Sequence, residues 1–233
     1  MASELALAAE IVSAIAALTL VYSTLKPCKS SGIQYLLGVP AGFALIAIGF
    51  ITGIPYLIVS ASIPSIRLIT GVISLLTQTY GLLFIALIYA RKTRLRILGE
   101  SIILEIAIPA LITIGAVTLV LISDPSTGAV IPTLETPLRI VMALCTLYVL
   151  YETERNWSFT QKASEGIVAV AFGFLFVEQL GFLLTPFDFG NVTVFLGYEG
   201  RIVGLIILVA LTLGMKKADF NVLRRLGLTA LAH

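Results

Sequence analysis

The sequence predicts an all-α integral membrane protein, a bundle of seven transmembrane helices. Three observations carry this: 58% of its 233 residues are apolar, only 12% are charged, and the apolar residues gather in runs of bilayer-spanning length. A soluble domain carries roughly 25% charged residues, so this chain has too few charges to cover a water-facing surface. The mean hydropathy of +1.05 agrees. A hydrocarbon core about 30 Å thick needs about 20 apolar residues per helix. The length accommodates one seven-helix domain over 1–215, a short basic tail over 216–233, and no soluble domain.

The apolar runs place spans near 5–25, 33–59, 66–90, 97–122, 137–152, 166–186 and 196–215. Met1-Ala2-Ser3-Glu4 precedes the first run with no basic stretch, unlike a cleaved signal peptide. Thr136-Pro137 supplies a capping hydroxyl and a proline suited to a first helical turn, so the fifth span is expected to start there. Pro64 and Pro132 fall in or beside loops, whereas Pro40, Pro55, Pro109 and Pro186 fall within spans and are expected to kink them.

Orientation follows from the basic residues, which stay on the cytoplasmic side of short loops. Twelve of the fifteen lie in one set of loops: Lys26, Lys29, Arg91, Lys92, Arg94, Arg96, Arg155, Lys162, Lys216, Lys217, Arg224 and Arg225. Only Arg67, Arg139 and Arg201 lie in the other set. The N-terminus is therefore expected outside and the C-terminus inside, in a cell membrane. In the tail, Phe220, Leu223, Leu226 and Ala230 recur at helical spacing beside four basic residues, as in an amphipathic helix lying on the inner leaflet. Cys28 and Cys145 fall toward the cytoplasmic side, outside any metal-binding spacing, and read as packing residues. Three Asn and four Gln in an Ile-rich chain point weakly to a thermophilic source.

Spans one to three and five to seven share in-membrane directions if the fourth is an odd linker, a three-plus-one-plus-three internal repeat. Gly42-Phe43-Ala44-Leu45 matches Gly173-Phe174-Leu175, and Arg67-Leu68-Ile69 matches Arg201-Ile202-Val203, at unequal offsets. In helix count and direction this plan is similar to PQ-loop sugar facilitators, microbial rhodopsins and seven-helix sensor domains. Their marks are missing. There is no Pro-Gln pair, and the lysines of the last span, Lys216 and Lys217, sit at its end rather than deep inside it. No family follows.

Ionisable and amide groups inside a bilayer are costly and are the first candidates for function. Glu178 with Gln179 lies about 12 Å from the outer end of its span, counted from Pro186 at 1.5 Å per residue. Glu105 lies about as far from the inner end of the fourth span, and Gln78 falls near the middle of the third. Arg67, Arg139 and Arg201 each fall within about a turn of an outer helix end. These seven make a candidate ligand site or a charge clamp. Glu178 would pair with Arg201 or Arg139, and the arginines would ring an outward cavity. Glu10 is expected near enough to the outer end to reach water. Two sequons, Asn191-Val192-Thr193 outside and Asn156-Trp157-Ser158 inside, mark opposite loops.

The sole histidine is the terminal His233, which removes histidine-based haem, metal and Ser-His chemistry from the bundle. No cofactor and no metal are expected. The partners expected are membrane lipid and either other membrane subunits or a cytoplasmic signalling protein, with no nucleic acid. The leading reading is a non-catalytic sensor-like or accessory subunit binding a lipid-like ligand or partner helices. A small-solute carrier with its site around Glu178 and Gln78 stands second, and a carboxylate-based lipid-modifying enzyme third.

Overall fold

The computed structural model describes residues 2–30, 37–58, 64–94, 130–187 and 192–215, with residues 112 and 115. Apart from the turn at Gln161-Lys162 the described residues are helical, and they form six helices long and apolar enough to cross a membrane. They are α1 (Ala2–Ser30), α2 (Gly38–Ile58), α3 (Pro64–Arg94), α4 (Val130–Thr160), α5 (Ala163–Leu184) and α6 (Val192–Met215), with a 3₁₀ turn at Thr185–Phe187. The expected fourth span at 97–122, with Glu105 and Pro109, lies outside the described residues, as does the tail at 216–233.

Helix packing follows chain order and closes on itself: α1 packs on α2, α2 on α3, α3 on α4, α4 on α5, α5 on α6, and α6 returns to α1. Side-chain pairs fix the directions. Ser74 bonds to Gly49 and Tyr89 meets Phe172, so α3 runs against both α2 and α5. Arg139 bonds to Gln179 near the start of α4 and the end of α5, so these two are also antiparallel. Arg201 bonds to Glu10, each early in its helix, so α6 and α1 are parallel. Thus α1, α3, α4 and α6 run one way, and α2 and α5 the other.

The core is apolar and interlocked, with Leu20, Phe50, Ile85, Met142, Phe172 and Leu205 all buried. Outward faces are equally apolar, as Ile15, Leu18, Ile69, Leu144, Val170 and Ile206 demonstrate. Helices apolar on the outside as well as the inside suit a hydrocarbon solvent. Glycines bring backbones close: a Cβ on Gly81 would lie 2.5 Å from the Gly42 carbonyl, and one on Gly204 would lie 2.8 Å from that of Ala171. Such small-residue contacts are how helices associate when lipid competes equally for their side chains.

The fifth expected span is corrected most. It does not start at Thr136-Pro137 and end at residue 152, but runs from Val130 to Thr160 with Pro137 inside it. Glu135, Arg139, Glu152 and Arg155 interrupt the apolar run at both ends, yet in the fold these charges pair along the helix and let it continue. Pro132 falls in its first turn rather than a loop, where no backbone donor is needed. Pro40 likewise sits in the first turn of α2, leaving Pro55 as the interior proline there. Pro186 lies beyond α5, in the 3₁₀ turn. Gln161 closes α4 with a left-handed φ of 53° and donates its N–H to the Trp157 carbonyl, a role usually given to glycine.

A buried ion cluster as candidate functional site

Arg201 is the largest fully buried side chain among the described residues, at 1% exposure. A guanidinium cannot shed its charge, so it survives in an apolar core only with its charge neutralised and its donors occupied. Arg201 Nε donates to Glu178 Oε1 at 2.7 Å, and Nη1 donates to Glu10 Oε1 at 2.6 Å. The rings of Phe50, Phe182 and Tyr198 surround it, their centroids 4.7, 5.3 and 5.4 Å from Cζ. These contacts tie α1, α5 and α6 together, with α2 supplying Phe50.

Arg139 extends the cluster into α4. Its Nη1 donates to Gln179 Oε1 at 3.3 Å and lies 3.9 Å from Glu178 Oε1. Its Nε and Nη2 reach Glu135 Oε1, one turn back along α4, at 3.4 Å. Phe182 caps it, with 4.3 Å from Cζ to the ring centroid. Glu178 Oε1 is thus shared by two guanidiniums, and Phe182 lies between them. The close fit of α5 to α6 makes this possible: a Cβ on Gly200 would lie 2.7 Å from the Phe174 carbonyl and 3.0 Å from Glu178 N.

A second polar group lies beside the first. Ser74 Oγ donates to the Gly49 carbonyl at 2.8 Å and accepts from Gln78 Nε2 at 3.0 Å. Gln78, Glu178 and Gln179 then line one cavity of about 20 Å³, otherwise walled by apolar side chains that include Phe43, Phe50 and Leu205. The cluster lies about 8–14 Å in from the end where α1, α3, α4 and α6 begin, counting residues at 1.5 Å each.

Of the seven residues singled out from the sequence, Glu178, Gln179, Arg139 and Arg201 come together, and Gln78 joins them at the cavity. Arg67 stands apart. It is exposed near the start of α3 and stacks on Tyr56 at 5.3 Å. The expected ring of three arginines at an outer mouth is therefore replaced by two arginines buried about two and a half turns deep. Glu105 falls outside the described residues.

Glu10 was expected to reach water, but it is 7% exposed and central to the cluster. The signal was on its own helix, because Ala6, Ala9, Ser13, Ala17 and Leu20 form a buried face that Glu10 adjoins. Glu10 Oε2 is buried without a partner, facing Gly53, where a Cβ would come within 3.2 Å of it. Glu135, Ser74 and the aromatic shell also escaped sequence reasoning, since their parts depend on which helices become neighbours. Cys145 is buried and free. Among the described residues, no three His, Cys, Asp or Glu side chains gather closely enough to hold a metal ion. Comparison of the chain with protein-family models, curated proteins and solved structures finds no match, so the reading of this site rests on its geometry.

Proposed function

We propose that this chain is a non-catalytic membrane subunit, sensor-like or accessory, whose ion cluster locks the bundle and whose outer faces engage lipid-like ligands or partner helices. One observation carries the reading. The buried charges are spent on one another around Arg201, and the cavity beside them has only about 20 Å³ of room. A drug-sized ligand occupies pockets of roughly 300–1,000 Å³. In this arrangement the interior is a clamp, and recognition falls to the surface.

The finer topology is part of the proposal: seven spans, N-terminus outside and C-terminus in the cytoplasm. Its support is geometric. Parallel α3 and α4 leave residues 95–129 to return the length of the bundle, where the sequence places a span at 97–122. The last turns of α1, α3 and α4 and the turn into α5 carry Lys26, Lys29, Arg91, Lys92, Arg94, Arg155 and Lys162 at one end. The internal repeat is supported by the matching directions of α1–α2–α3 and α4–α5–α6, each with one glycine-tight helix pair. The Arg67 and Arg201 match gains no support, because one is exposed and the other buried.

Purification in mild detergent followed by native mass spectrometry tests the functional reading. A stoichiometric partner or retained lipid is expected, with no saturable uptake in proteoliposomes. The carrier reading draws on the cavity, which lies between the two triplets. Saturable uptake of a small solute, lost in Glu178→Gln at normal expression, would establish it in place of the first.

A further inference from the structure

We propose that the cavity between α2, α3, α5 and α6 is a binding site for a single water molecule that joins two polar networks into one. The argument begins with the two amides, whose orientations are fixed by their partners. A guanidinium only donates, so Gln179 must turn Oε1 toward Arg139, leaving Nε2 unused. The Ser74 hydroxyl spends its proton on the Gly49 carbonyl, so Gln78 must offer it Nε2, leaving Oε1 unused. Glu178 gives Oε1 to both arginines, leaving Oε2. Among the described residues these three atoms have no protein partner.

Gln78, Glu178 and Gln179 are respectively 5%, 4% and 1% exposed, and all three line the cavity. The unused atoms of these three lining residues are one donor and two acceptors. Water is the complement: it accepts from Gln179 Nε2 and donates to Glu178 Oε2 and Gln78 Oε1. A buried water typically makes about three hydrogen bonds and needs at least about 10–15 Å³, and the cavity has about 20 Å³. Ammonium has no acceptor for Gln179, and an apolar guest would satisfy none of the three. Once bound, the water links Gly49, Ser74 and Gln78 to Glu178, Arg201 and Glu10, with Arg139 and Glu135 on a branch. All six described helices then share one hydrogen-bonded network. This holds for an accessory subunit and a carrier alike.

The test is a crystal structure of the whole protein at a resolution that shows ordered water, with a second crystal under xenon pressure. A peak within hydrogen-bonding distance of Gln78, Glu178 and Gln179, not displaced by xenon, is expected. A dry cavity, or one that takes up xenon, would overturn the proposal. The variant Gln78→Met is expected to lose the peak, and its retention there would also count against the site. The wild-type measurement decides the matter even if the variant does not fold.

Discussion

Arg201 has no soluble-protein excuse for its position. It is 1% exposed, and its charge is held by two carboxylates, one from α1 and one from α5. Removing one member of a buried pair strands the other, at a cost of about 3–5 kcal/mol, whereas replacing the whole set with apolar groups is often neutral. Arg201→Met is therefore expected to lose about 3–5 kcal/mol against unfolding by SDS in mixed micelles. Combining it with Glu10→Leu and Glu178→Met is expected to recover most of that loss. Equal losses in the single and triple variants would mean that packing, not charge, sets the cost. The sequence made Glu178 and Arg201 legible, because an ionisable residue in an apolar run stands out. Glu10 was harder to read, because it lies at the edge of the small-residue face of α1 that runs through Ala6, Ala9, Ser13 and Ala17, and that face is buried only once α2 and α6 close on α1.

At the scale of elements, hydropathy located helices well and their ends poorly. α5 and α6 begin and end within a few residues of expectation, because Lys162 and Glu165 mark the start of α5 and Lys216-Lys217 follow α6 in sequence, so charge coincides with those boundaries. α4 was cut short by charges that pair only once the helix has formed, so a window of apolar residues could not see past them. Glycine tells a parallel story, since its packing role depends on the opposite helix. A Cβ on Gly200 would press on the α5 backbone at Phe174 and Glu178, whereas one on Gly173 meets nothing within 4 Å. Gly200→Ala is expected to force α5 and α6 apart, at a cost of about 1–3 kcal/mol. Gly173→Ala is expected to be neutral or to gain up to about 1 kcal/mol through helix propensity. Thermal unfolding in one detergent compares the two, and indistinguishable melting temperatures would contradict the tight α5–α6 contact.

For the whole molecule, the direction of each helix turns the positive-inside argument into a geometric one. α3 and α4 are neighbours in the closed ring and run the same way, so the end of α3 and the start of α4 lie at opposite ends of the bundle. A chain with only six spans, α3 and α4 being successive crossings, would bring those two points to the same side. Single cysteines at Arg94 and Thr133, with Cys28 and Cys145 replaced by alanine, separate the two arrangements. A membrane-impermeant maleimide applied to intact cells is expected to label Thr133→Cys and to spare Arg94→Cys until the membrane is permeabilised. Lys162→Cys, in the exposed turn between α4 and α5, should behave like Arg94→Cys. Labelling of both Arg94→Cys and Thr133→Cys from outside would remove the crossing between them. Labelling of Lys162→Cys alone would instead invert the molecule and place its basic end outside, against the pull that retains lysine and arginine in the cytoplasm.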